Sequence, residues 1–190
     1  MKITLYLILM MVFIFFLQNI PGFFESLSFI PSQALAKPWM FITSIFLHAD
    51  YIHLFYNMFA LFFFGTYLEN IVGVKNYIKI FLISGLAGNI LFFFTTHDPK
   101  IPAVGASGAI FGIIGALTAL RPYEIIYFFF IPMPLVVAAF LWAIGSLIGM
   151  LFPSSIAHSA HLAGLIAGFL YARWLKKIYS KKYTRRIIWY

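Results

Sequence analysis

Apolar runs the length of a lipid bilayer follow one another along this chain, and they limit its fold more than any single motif. Hydrophobic residues make up 63% of the 190 and charged residues only 9%, far from soluble usage. A helix crosses a bilayer in roughly 20 apolar residues, and about six such runs fit. They lie at residues 3–20, 51–69, 77–95, 107–120, 134–151 and 156–176. The expected fold is therefore an all-α, six-span membrane bundle: one domain over 1–190, ending in a basic cytoplasmic tail at 177–190. Lys2 precedes the first run, and Ala34-Leu35-Ala36 looks like a signal-peptide cleavage site. That site lies well past the run and Pro38 follows it, so the run is expected to be a retained span.

The breaks between runs differ in character. Pro21-Gly22 stops the first. Residues 23–47 are aromatic and carry Glu25, Lys37 and Trp39. Short helices lying in the membrane interface are expected there, anchored by Trp39. The fourth run is short for a bilayer. A helix that begins inside the membrane must be reached by non-helical backbone, which survives only within protein or beside a water-filled cavity. Tyr123 to Ile131 is aromatic and β-branched, so it is expected to be extended and interfacial. Pro134 suits the first turn of the fifth span, and Phe152-Pro153-Ser154-Ser155 links it to the sixth.

Charge supports this topology. With both termini in the cytoplasm, Lys2, Lys75, Lys79, Arg121, Arg173, Lys176 and five tail residues lie inside, eleven of the thirteen basic residues. Lys37 and Lys100 lie outside, a positive-inside asymmetry that agrees with an even number of spans. The net charge of +8 thus suits an anionic leaflet, and no nucleic-acid partner is expected. The absence of cysteine excludes disulfides, thiolate catalysis and cysteine-based metal sites.

Polar side chains inside membrane helices are costly and point to function. Ser107 opens the fourth run within Gly105-Ala106-Ser107-Gly108-Ala109-Ile110-Phe111-Gly112. Gly108 and Gly112 form a small-xxx-small pair that suits close helix packing. Alternatively, Ser107 is a nucleophile, with helix N-terminal N–H groups to serve an oxyanion. His53 and Asn57, four apart, share a helix face, and His161, Gly164 and Gly168 share another. All the polar members fall near the outer ends of their spans. The sixth span's glycines would let it press against the fourth and bring His161 to Ser107. A serine hydroxyl needs a base, and histidine titrates near neutrality. Asn57, His53 and the Ser107 N–H would serve an oxyanion. Glu69 and Glu124 fall at the inner end, and Glu25, Asp50 and Asp98 lie in or beside outer loops. A Ser–His dyad is expected, with packing rather than a carboxylate orienting His161. Glu69, between Gly65 and Gly73, is expected to tie down the inner loop.

Other assignments compete. His48 and His158 suit structural roles, and His53 and Asn57 suit interhelical bonding. A Ser–Lys pair would need Lys100, which lies in a polar outer loop. His48, His53, His158 and His161 are a conceivable metal set, with 158 and 161 usably spaced, but no carboxylate accompanies them. No metal and no cofactor are expected.

The constellation resembles the rhomboid family of intramembrane serine proteases. The matching pieces are His53-Leu54-Phe55-Tyr56-Asn57, Gly65-x-x-x-Glu69-x-x-x-Gly73, Gly105-Ala106-Ser107-Gly108, and Ala160-His161-Leu162-Ala163-Gly164 with Gly168. The resemblance implies Ser107 as nucleophile, His161 as general base, and Asn57 and His53 at the oxyanion. It implies lateral gating by the fifth span and the Phe152 link, and transmembrane substrates cut near the outer face of the cell membrane. A catalytically silent binder of transmembrane helices is the alternative. Two positions depart from the family pattern. Met40 follows Trp39 where an arginine is common. Phe111 stands where a tyrosine stacks on the catalytic histidine; it keeps the ring and should keep the stacking.

Overall fold

A computed structural model describes residues 2–128, 130–152, 154 and 156–187. Pro153 and Ser155 of the expected link lie outside the described residues, as do 188–190 of the expected tail.

Helix α1 spans Ile3–Leu17, three residues short of the run expected to reach Ile20. Its start is held by a carboxylate. Glu69 accepts from the backbone N–H of Ile3 and of Thr4, each at 3.0 Å, and from the Thr4 hydroxyl at 2.6 Å. A helix leaves its first N–H groups without internal partners, and an anion there suits the dipole. Glu69 therefore ties down the start of α1, not the inner loop as its flanking glycines suggested.

Residues 23–47 form short helices, as expected: α2 (Phe23–Leu27), α3 (Pro31–Ala34), α4 (Met40–Thr43) and a 3₁₀ turn at Ser44–Phe46. The Trp39 indole N–H donates to the Ser26 carbonyl at 3.0 Å, which closes the segment on itself.

Helix α5 (Tyr51–Ala60) is capped by Asp50, whose side chain accepts from the His53 N–H. It continues through a π-helical turn, Leu61–Gly65, into α6 (Thr66–Thr95). The two runs expected as separate spans are two helices within this stretch. They are parted at Gly73, where φ 75° and ψ 162° leave the helix; glycine takes that conformation without a Cβ penalty. Among the described residues, Tyr51–Thr95 is the one stretch long and apolar enough to cross a membrane by length and composition. Ile3–Leu17, Ser107–Leu120 and Leu135–Gly149 are shorter apolar helices.

Helix α7 (Ser107–Leu120) is the axis of the fold, with eleven of its fourteen residues buried. It packs on α6 and on α9 (His158–Ile187). Helix α9 runs without a break into the segment expected as a separate tail. Helix α8 (Leu135–Gly149) lies at the side. Between α7 and α8 the segment expected to be extended is extended, and it adds a small hairpin to the helical bundle. There β1 (Ile125–Phe128) and β2 (Ile131–Pro134) pair antiparallel, with Ile125 opposite Pro134 and Tyr127 opposite Pro132. β-branched and aromatic residues favour extended pairing, and Pro134 precedes α8 in extended conformation instead of joining its first turn.

Candidate active site

The site begins with a path of irregular backbone. Before Ser107 the chain has no helical partners, so its polar groups must bond elsewhere. Phe29 and Ala103 exchange N–H···O=C bonds at 3.0 and 2.8 Å, and the Gly105 N–H donates to the Ser44 carbonyl at 3.0 Å. Asn89 on α6 secures this support by donating to the Phe41 carbonyl and the Ser44 hydroxyl, at 2.8 and 3.0 Å. Ala106 is fully buried. Helix α7 thus starts inside the protein, reached by non-helical backbone that the first connection satisfies.

Close backbone approach brings the second helix in. A Cβ built on Gly164 would strike the Gly108 carbonyl, and one on Gly168 the Gly112 carbonyl. One on Gly115 would strike the Leu165 carbonyl. The helices run parallel in near-backbone contact, as the glycine spacing predicted. His161, one turn before Gly164, then faces the start of α7. Its Nε2 lies 2.7 Å from the Ser107 Oγ, within hydrogen-bond range. Phe111, one turn into α7, stacks on the imidazole with centroids 4.4 Å apart and planes 7° from parallel. Ser107 Oγ and Phe111 thus fix the ring from two sides. Thr95 donates to the Ser159 hydroxyl at 2.8 Å, which ties the end of α6 beside this helix start.

Helix α5 delivers the remaining polar groups. The His53 ring lies against Gly105, where a Cβ would come within 2.6 Å of Cε1 and 2.8 Å of Nε2. Its Nδ1 accepts from the Ala49 N–H at 3.4 Å, so Nε2 carries the ring proton on the Gly105 side. Asn57 is buried and donates one amide hydrogen to the His53 carbonyl at 2.8 Å. A second amide hydrogen is left to offer.

The other histidines lie around this group. His48 is fully buried, its ring edge-on to His53 at 5.3 Å. Burial, reinforced by His53, pushes the His48 imidazole down to about 3, so it is neutral near pH 7. His158 packs its ring over Gly149 and stands edge-on to His161 at 6.3 Å. Among the described residues, no three His, Asp or Glu side chains are grouped as a metal site requires.

Sequence reasoning missed the residues that hold the site from outside. Gln18, just past α1, donates to the His48 carbonyl at 2.7 Å and accepts from the His48 N–H at 3.0 Å. Ser44 and Asn89 support the approach to Ser107. Asn89 and Gln18 each carried a signal, an amide within an apolar run; Ser44 carried none.

Residues 35–178 match the Rhomboid domain. The chain is 33% identical over 159 residues to the mitochondrial Rhomboid protein 1 of Saccharomyces cerevisiae, which covers 77% of this chain and 44% of that protein. It is 35% identical over 134 residues to the Putative rhomboid protease YdcA of Bacillus subtilis, covering 70% and 64%. To the Rhomboid protease GluP of Bacillus subtilis it is 34% identical over 145 residues, covering 70% and 25%. The chain thus spans less than two thirds of the length of each of these relatives. The family match covers the Ser107 approach, the stacked His161 and the glycine contact that joins them, and on it the chain belongs to the rhomboid family.

Proposed function

We propose that this protein is an intramembrane serine endopeptidase that cuts transmembrane segments near the outer face of a cell membrane. In this reading the chain is one six-span domain with both termini and the 177–190 segment in the cytoplasm. One observation carries it: the 2.7 Å approach of Ser107 Oγ to His161 Nε2, on a ring already stacked by Phe111.

The chemistry follows from that geometry. His161 Nε2 takes the hydroxyl proton as Ser107 Oγ attacks the scissile carbonyl. Negative charge then develops on the carbonyl oxygen. The Ser107 N–H, the second Asn57 amide hydrogen and the His53 Nε2–H are the donors proposed to receive it. Collapse of the intermediate breaks the C–N bond, and His161 returns the proton to the leaving amine. Water then attacks the acyl-enzyme by the same route and frees Ser107. His161 is oriented by packing on Phe111, with no carboxylate member. A substrate helix must unwind locally to expose its carbonyl, and unpaired backbone is costly in lipid. A nucleophile at a helix start among buried, hydrogen-bonded loops offers polar surroundings for that unwound segment.

The test is cleavage of a single-span substrate by purified protein in detergent and in vesicles. Ser107→Ala and His161→Ala are each expected to lower kcat by at least about 10³-fold. Asn57→Ala is expected to cost roughly 10²-fold in kcat, as loss of one oxyanion donor does. EDTA is expected to have no effect. A wild-type protein that binds such helices, cuts none and leaves Ser107 unlabelled by a fluorophosphonate is the silent alternative.

A further inference from the structure

The β1–β2 hairpin has an unusual surface for a loop between two helices. Tyr123 is 80% exposed, Tyr127 75%, Phe130 97% and Ile131 60%. From Pro122 to Pro134 the sequence holds one charged residue, Glu124, and it accepts from the Tyr67 hydroxyl at 2.7 Å. Exposed hairpins in water alternate apolar and polar faces. Here Ile126 packs against the core, while its neighbours Ile125 and Tyr127 point away from it and are apolar too.

The hairpin's surroundings identify what it meets. Ser84 on α6 lies against Gly112, Gly88 lies against Ala160, and Gly85 against Ala109. The later half of α6 is therefore antiparallel to α7 and α9. This places Lys75, Lys79, Arg121, Arg173, Lys176 and Lys177 at the hairpin's end of the molecule, away from Ser107. Exposed aromatic rings beside a basic collar match the boundary of an anionic leaflet.

The free edge of β2 points the same way. Leu135 N–H donates to the Glu124 carbonyl at 2.8 Å. Antiparallel ladders alternate bonded and unbonded pairs, so Pro132 and Pro134 occupy the positions that face outward from β1. Proline has no N–H. The outer edge of β2 therefore offers no donor at those two positions, which lowers the cost of entering lipid and denies a ladder to another strand.

We propose that the hairpin is an interfacial anchor. It seats Tyr123, Tyr127 and Phe130 in the headgroup–acyl boundary of the anionic leaflet at the end opposite Ser107. This rests on the membrane-spanning reading above. The anchor also sets a depth. Helix α7 has fourteen residues and is about 21 Å long at 1.5 Å per residue. With Arg121 held at one boundary, Ser107 lies roughly 9 Å below the other in a hydrocarbon core of about 30 Å.

The cysteine-free chain allows a direct test. Single cysteines replace Tyr127, Phe130 and, as a control on α8, the exposed Phe140, each in the full chain with a nitroxide label. The protein is placed in phosphatidylcholine–phosphatidylglycerol vesicles, and label depth is read from oxygen against nickel-chelate accessibility. Tyr127→Cys and Phe130→Cys are expected to read about 5–10 Å below the phosphates, as interfacial side chains do, with Phe140→Cys deeper. Labels at 127 and 130 in water, with Phe140→Cys deep, overturn the anchor and leave the spanning reading standing. A Phe140→Cys label in water overturns both. Dipolar broadening at 127 and 130 that grows with protein density overturns the anchor in favour of contact with a second copy. Two hairpin positions are used so that one misfolded variant does not decide the outcome.

Discussion

Helices α7 and α8 have nearly the same length and similar apolar composition, yet they are held in opposite ways. Along α7, Gly108, Gly112 and Gly115 lie against the backbone of α9, and almost every side chain is buried. Along α8, a Cβ on Gly145 would meet nothing within 4 Å, and Phe140, Leu141, Leu147 and Ile148 are exposed. Backbone-to-backbone contact leaves no small displacement available, because any separation forfeits many dispersion contacts at once. Helix α8, seated through Leu135, Ala138, Ala139 and Ser146 with its bulkier side chains turned outward, has fewer such contacts to lose. The first arrangement suits a hydroxyl and an imidazole that must stay within hydrogen-bond range. The second is what the lateral gating implied by the family resemblance would require.

Substitutions at three positions sharpen or break that contrast. The largest effect is expected at Gly168→Ala, whose Cβ would meet the Gly112 carbonyl. Overpacking of this kind costs roughly 1–3 kcal/mol. It should appear as a lower thermal midpoint in detergent, together with loss of cleavage as His161 is displaced. Unchanged stability there would mean that α7 and α9 are not in backbone contact. Phe111→Ala comes next. Removing an aromatic stacking partner worth about 0.5–1.5 kcal/mol is expected to lower kcat up to about tenfold, with KM little changed. Phe111→Tyr should retain wild-type turnover, since the ring is kept. The smallest effect is expected on the loose side. Gly145→Ala meets open space on a helix and is expected to raise stability by about 0.5 kcal/mol. A destabilised Gly145→Ala protein would mean that α8 is seated as closely as α7.

Much of the site was legible in the amino-acid sequence. His161, Gly164 and Gly168 share a helix face, and that spacing pointed to the contact with α7 that the fold contains. Phe111 kept the ring that the pattern calls for, and the ring is stacked. The elements that went astray were those with two local solutions. Glu69 has flanking glycines that suggested a loop, but its bonds go to Ile3 and Thr4, more than sixty residues away in sequence. Tyr123 to Pro134 was legible as extended, yet no local signal named its strand partner. The partner of Gln18 was invisible because its two bonds go to the backbone of His48, and backbone groups have no sequence signature.

The order and spacing of small, polar and apolar residues along the chain were enough to determine its helical character, the faces that approach one another and the candidate pair Ser107 and His161. Those properties are periodic, and periodicity is written in the sequence itself. Which side chain satisfies which distant backbone group was decided only by the tertiary structure, at Glu69, Gln18 and Asn89 alike. A buried N–H or carbonyl accepts any suitable partner that packing brings within about 3 Å, and that choice is made by the whole chain at once.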